Sequence, residues 1–234
     1  MEKRVVFYSQ GQRIFGNLHL PYEGAPCILM SHGLEGSKDG SKWRFLSPRF
    51  YDEGFASLRF NYRGCGGVER SEGESEDTTL TGRIKDYKAA LDYLETAKVD
   101  LKRLGVIGSS FGGMVALAAE DKRVKAIIIM ATPSRFPLPR SKGLFFAPKV
   151  KGDFYQDLQA YDLCQSIKRA SCPILIIQGE HDELVPIEST YELYENANEP
   201  KRLEILEGAE HRLNNPKHLE RIATLSLEWF KRYL

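Results

Sequence analysis

The sequence predicts an α/β protein: a mostly parallel eight-stranded sheet with an antiparallel N-terminal edge and helices on both faces. Three observations predict it. The continuous apolar run Cys27–Met30 and the largely apolar runs Val124–Met130 and Pro173–Gln178 read as buried strands. Segments with apolar residues at helical spacing separate them. Each run ends in a short loop, and the reactive side chains cluster there, as they do at the carboxyl ends of strands in such sheets.

The elements follow in order. Val5–Tyr8 and Ile14–Leu20 read as a hairpin around Gln10-Gly11-Gln12, with Ile14, Gly16, Leu18 and Leu20 on one face. Cys27–Met30 is the first buried strand and ends in Ser31-His32-Gly33-Leu34-Glu35-Gly36. Trp43, Leu46 and Phe50 mark a helix that Gly54 stops. Phe55–Phe60 is a strand, and a polar, Gly-rich loop follows from Asn61 to Thr79. Leu80, Ile84, Tyr87, Leu91 and Leu94 form one face of an amphipathic helix. Arg103–Ile107 is the next strand, and Met114–Glu120 belongs to the helix after it. Val124–Met130 ends at Ala131-Thr132-Pro133, and from Ser134 to about Gln165 the alternation is interrupted. Pro173–Gln178, a helix over Ile187–Asn196 and the strand Arg202–Leu206 resume it. Pro216 opens the last helix, with Leu219, Ile222, Trp229 and Tyr233 as its buried stripe.

Composition narrows the function classes. The 234 residues suffice for one large domain, and the 42% hydrophobic and 28% charged shares are those of a globular protein. Thirty-three basic against 32 acidic residues leave a net charge of +1, so there is no global field to attract nucleic acid or an anionic membrane. No stretch approaches the ~20 apolar residues of a membrane span. Val5–Tyr8 is too short for a signal-peptide core, and no small-residue cleavage site follows. Cys27, Cys65, Cys164 and Cys172 form no C-x-x-C pair, which fits reduced thiols and a cytoplasmic location. No metal-ligand cluster is evident, and no cofactor is expected.

Gly108-Ser109-Ser110-Phe111-Gly112 is G-x-S-x-G between a strand and a helix, the context in which a serine is lifted clear of a sheet on a strained turn. A serine hydroxyl needs a base within reach, itself oriented by a third group. Of the five histidines, His19 lies within a strand and His218 within a helix. His32 is the lesser candidate, and His211, in the loop after the last strand, is the expected base. The acid should end a strand between Ser110 and His211. Asp182 follows Gln178-Gly179 and is the candidate, with Glu180 and Glu183 as runners-up. Acyl transfer also requires donors for the carbonyl oxygen. The Phe111 N–H, at a helix start, and the Leu34 N–H, after the Cys27–Met30 strand, are the expected pair.

With these residues in view, the chain resembles an α/β-hydrolase-fold serine hydrolase over essentially its whole length. The resemblance is carried by His32-Gly33, Arg63-Gly64-x-Gly66, Gly108-x-Ser110-x-Gly112, Gly179-x-x-Asp182-x-x-Val185-Pro186 and His211, in the family's order. It implies a Ser110–His211–Asp182 triad acting through an acyl-enzyme. The Ser31–Gly36 segment and the loop after Phe60 look most similar to compact bacterial esterases of the cinnamoyl/feruloyl type and to related aminopeptidase-like hydrolases. The expected activity is hydrolysis of small to medium carboxylic esters. An aminopeptidase, an acyl-thioesterase or a C–C bond hydrolase would use the same triad, and a non-catalytic binding protein would have lost part of it. The expected partner is a small-molecule ester; the oligomeric state, a homodimer among the choices, stays open.

The expected domain plan is a single domain over 1–234 with a small cap, 134–165, inserted between strands 6 and 7. Phe136, Leu138, Phe145 and Phe146 are its pocket candidates, with Leu144 beside them. Arg135, Arg140, Lys142, Lys149 and Lys151 are unopposed by any acid between Ser134 and Lys151, which suggests a cationic rim for anionic substrates. The alternative is a solvated loop covering the sheet edge.

Overall fold

A computed structural model describes residues 2–136 and 149–234. The described chain forms one eight-stranded sheet. Its strands are β1 (Glu2–Ser9), β2 (Gln12–His19), β3 (Pro26–Ser31), β4 (Ala56–Phe60), β5 (Asp100–Ser109), β6 (Ala126–Met130), β7 (Ile174–Gly179) and β8 (Lys201–Leu206). They lie in the order β1-β2-β4-β3-β5-β6-β7-β8. β1 pairs antiparallel with β2 and β2 with β4, and every later pairing is parallel. The helices are α1 (Ser41–Asp52), α2 (Leu80–Leu94), α3 (Phe111–Ala118), α4 (Asp153–Leu158), α5 (Leu163–Arg169), α6 (Ile187–Asn196) and α7 (Pro216–Tyr233). This is an α/β-hydrolase fold.

The unbroken apolar runs are explained by a core on each side of the sheet. Side chains alternate along a strand, so Leu29, Val106, Ile129 and Ile176 enter one core while Ile28, Ile107, Ile128 and Ile177 enter the other. Residues of α2, α3, α5 and α6 close the first, and residues of α1 and α7 close the second. α7 starts at Pro216 behind Asn215, whose side chain accepts the Lys217 N–H.

Two elements inside the interrupted stretch escaped the sequence reading. α4 is only six residues long, too short for a periodic pattern to emerge, and α5 begins behind an Asp162 cap within the segment expected to be cap. Of the pocket candidates, Phe136 is described. Leu138, Phe145 and Phe146, together with Leu144, Arg140 and Lys142, lie outside the described residues. Among the described residues no helix is long and apolar enough to cross a membrane.

The strand order determines where loops meet. From β3 the chain turns one way to β4 and then crosses to β5 on the other side, so the carboxyl ends of β3 and β5 are neighbours, with Ser31 in register with Gly108. At the same sheet edge Gly179 of β7 is in register with Leu206 of β8, and the loops after them lie side by side.

Candidate active site

The turn after β5 is strained as its sequence implies. Ser110 has φ +53° and ψ −123°, a conformation sparsely populated by side-chain-bearing residues. It is held there by its N–H bond to Met130 O (2.8 Å) and by the start of α3. The flanking glycines answer a close approach. A Cβ on Gly112 would lie 2.2 Å from Ser31 O, and one on Gly108 would lie 2.6 Å from Gly112 O. Hence α3 packs against the end of β3 only if position 112 lacks a side chain, and folds back over β5 only if position 108 does.

The loops after β5, β7 and β8 bring the three candidates together. Ser110 Oγ lies 3.2 Å from His211 Nε2. His211 Nδ1 lies 3.0 and 2.9 Å from the two carboxylate oxygens of Asp182. Asp182 accepts further bonds from the Leu184 and Val185 N–H groups (2.9 and 2.8 Å) and from Gln178 Nε2 (3.0 Å). Burial pushes the Asp182 pKa up, but the His211 hydrogen bond and charge and the two amides outweigh it, and the group is held below its ordinary value. The arrangement can take a proton from the hydroxyl at Nε2 while Asp182 fixes the tautomer and faces the imidazolium that forms.

The other candidates are set apart by position. Glu180 accepts the Gly208 N–H and Glu183 the His211 N–H, so both brace the loop rather than the imidazole ring. His32 is buried: its Nε2 accepts the Tyr62 N–H (3.2 Å), so Nδ1 carries the proton given to Gly33 O (2.8 Å). Burial, assisted by the Arg83 charge, lowers its pKa to about 3, which leaves it neutral. His19 stacks on Tyr51, and His218 Nε2 donates to Glu207 O. Cys65, in the Gly-rich loop after β4, is buried against Arg83.

Arg83 and Gln178 are structural partners that sequence reasoning missed. Arg83 is fully buried on α2 and donates to Gly33 O (3.0 Å) and Leu34 O (2.7 Å), with its guanidinium 5.2 Å from the Phe111 ring centroid. It thus touches both residues expected to supply the oxyanion donors. Among the described residues the Leu34 N–H makes no hydrogen bond, and Phe111 is the first residue of α3, whose N–H has no intrahelical acceptor. The only sequence signal for Arg83 is a cation at a position one turn before the apolar stripe residue Tyr87. Gln178 is a buried amide ending the apolar run Ile174–Ile177.

These groups open onto a cleft of about 520 Å³ lined by the loop after β3, the start of α1, the elbow, Phe136 and the loops carrying Glu183 and Arg212. Phe136 packs against Phe111 and Phe154 at its edge. Of the cationic rim expected of the cap, Arg140 and Lys142 lie outside the described residues, and the exposed Lys149 does not line the cleft. Arg135 is paired with Glu192 and Lys151 with Asp77, and neither lines the cleft. The buried cation in the cleft wall is instead Lys42 of α1, which donates to Ser109 Oγ (2.9 Å). Among the described residues no group of three His, Cys, Asp or Glu could hold a metal ion.

Lys42 titrates unusually. Burial lowers its pKa from 10.5 to about 8, against the attraction of Asp182. Below pH 8 it is charged in both folded and unfolded chains, and the folded state bears the whole desolvation cost. Between pH 8 and 10.5 the unfolded chain binds more protons, so stability rises with pH. Lys42→Met is therefore expected to stabilise the fold by about 1–3 kcal/mol at pH 7, an advantage that narrows above pH 8. Urea titrations at pH 7 and 9.5 read it directly.

Comparison with known proteins agrees with the fold. The model of the prolyl oligopeptidase family matches residues 43–234. Est1E from Butyrivibrio proteoclasticus, solved with ferulic acid bound, superposes with a TM-score of 0.85 at 22% identity, over 98% of each chain. The esterase domain of a Rhodothermus marinus protein gives 0.79 at 25% identity, over 100% of this chain and 99% of that one. The quorum-quenching protein AidA of Acinetobacter baumannii is 38% identical over 106 residues, 44% of this chain and 34% of its own.

Proposed function

The chain belongs to the prolyl oligopeptidase family and is a hydrolase of the α/β class; on that premise we propose that it cleaves small to medium carboxylic esters through an acyl-enzyme on Ser110. One observation carries the reading: Ser110 Oγ lies 3.2 Å from His211 Nε2, at the floor of an open cleft. Ser110 attacks the ester carbonyl as its proton passes to His211 Nε2. The Leu34 and Phe111 N–H groups receive the charge that develops on the carbonyl oxygen. His211 returns the proton to the leaving alcohol, and water then repeats the sequence on the acyl-serine. Phe136 is the described pocket candidate that lines the cleft beside Ser110.

The test is a panel of p-nitrophenyl esters, hydroxycinnamate esters, acyl-thioesters and aminoacyl amides, run beside fluorophosphonate labelling. Ester turnover well above amide turnover supports the reading. Preferential turnover of aminoacyl amides would favour a peptidase, for which the exposed Glu35 and Glu183 at the cleft offer carboxylates to a substrate amine.

Arg83 supplies a second check on the oxyanion site. Arg83→Met frees the carbonyls of Gly33 and Leu34 and removes a buried charge behind both donors. We expect kcat to fall about 10- to 100-fold with KM little changed, and Arg83→Lys to recover part of it. A fall in melting temperature with unaltered kcat would show that Arg83 only braces the fold.

A further inference from the structure

The cleft wall at the start of α1 is built unlike an ordinary helix start. α1 is preceded by Gly40, which offers no side-chain cap, and its first turn contains no acidic residue. Gly40, Ser41, Lys42 and Trp43 all line the cleft; the Gly40 N–H donates to Ser37 O and the Trp43 N–H to Gly40 O, which leaves the Ser41 and Lys42 N–H groups, at the positive end of a twelve-residue helix, without an acceptor among the described residues. Lys42 adds a full charge there. It is 7% exposed, its one hydrogen bond goes to the neutral Ser109 hydroxyl, and no carboxylate lies within ion-pair distance among the described residues. An ammonium has three donors, so at least two are unused.

We propose that Lys42 and the first turn of α1 form an anion subsite beside Ser110, and that the ester this protein hydrolyses carries a carboxylate. The inference rests on the ester-hydrolase reading above and names its substrate class. Ser109 precedes the nucleophile, so an ammonium bonded to its side chain stands one residue from the reacting centre. A substrate carboxylate there would receive hydrogen bonds from the unused ammonium protons and from the Ser41 and Lys42 N–H groups of the helix start, replacing the water that burial removed. The other charges at the cleft do not serve the purpose. Glu35 and Glu183 are of the wrong sign, Arg212 is solvent-exposed, Asp182 is occupied by His211, and His32 is neutral. The burial that lowers the Lys42 pKa to about 8 still leaves it largely charged at neutral pH, and a bound anion would hold the proton more firmly.

The test compares each anionic ester with its neutral amide twin. Monomethyl glutarate is set against methyl glutaramate for a carboxylate on the acyl side, and 3-acetoxypropionate against 3-acetoxypropionamide for one on the alkoxy side. In the wild-type protein the anion-to-amide ratio of kcat/KM should exceed about tenfold in at least one series. Lys42→Met should bring that ratio to about one, and Lys42→Arg should retain most of it. A wild-type ratio near one in both series, or a ratio unchanged in Lys42→Met, overturns the subsite while leaving the esterase reading intact. If no ester is turned over, that reading fails by itself. The subsite is then judged by the fluorescence of Trp43, whose ring centroid lies 5.9 Å from Lys42 Nζ. A saturable change with glutarate, absent with glutaramide and lost in Lys42→Met, supports it, and no change with glutarate overturns it.

Discussion

Ser110→Ala is expected to lower kcat on any ester the protein accepts by on the order of 10⁵-fold, and to abolish fluorophosphonate labelling. The reason lies in the geometry. Among the described residues Ser110 Oγ is the side-chain hydroxyl bonded to His211 Nε2, and its strained backbone exists to hold it there. The substitution removes one oxygen without disturbing a packed core, so melting temperature should stay constant or rise as the lone pair of Nε2 is left to solvent. Residual turnover above the water rate would come from the Leu34 and Phe111 amides and from binding. Labelling that persists in Ser110→Ala would refute Ser110 as nucleophile.

Asp182→Asn carries the next largest effect, a fall in kcat of about 1,000- to 10,000-fold. Asp182 accepts from His211 Nδ1, two backbone amides and Gln178 Nε2. An asparagine amide group would meet at least one of these donors with another donor. It would also favour the imidazole tautomer with its proton on Nε2, where it cannot accept from Ser110. The variant should further lose a pH dependence. Because the folded pKa of Asp182 is held below its unfolded value, the unfolded chain binds the proton first on acidification. Its stabilising contribution is full above an unfolded pKa of about 3.9 and is lost as pH falls through the folded value. Urea midpoints measured from pH 5 to pH 2.5 should converge for wild type and Asp182→Asn at the acid end. Parallel curves would show that Asp182 contributes no such linkage.

Much of the fold was legible because parallel strands covered on both faces must be apolar along their whole length. Cys27–Met30 and the Ala126–Met130 part of the run after Val124 announce their class without reference to any neighbour. Ser110 was legible because a tight strand-to-helix turn demands glycines at fixed offsets. His211 and Asp182 were legible as candidates because they follow strands at the edge where such sheets carry their sites. The choice of Asp182 over Glu180 and Glu183 was an expectation, and the structure brings the Asp182 carboxylate rather than the other two to the imidazole ring.

Lys42 and Arg83 show the limit. In sequence each is one cation in an amphipathic helix, indistinguishable from a solvated lysine or arginine. Conversely, the basic run after Ser134 reads as a rim, yet Arg135 and Lys151 find Glu192 and Asp77. Local pattern determined which segments are strands and helices, where the nucleophile's turn lies and which chemistry its neighbours suit, since those depend on periodicity and on steric demands between adjacent residues. Tertiary structure alone decided which charges are buried at the cleft and which are neutralised. Burial and pairing are set by residues such as Ser109 and Glu192, 67 and 57 positions away from the cations they meet, and the energy of a charge depends on that surrounding medium rather than on its place in the chain.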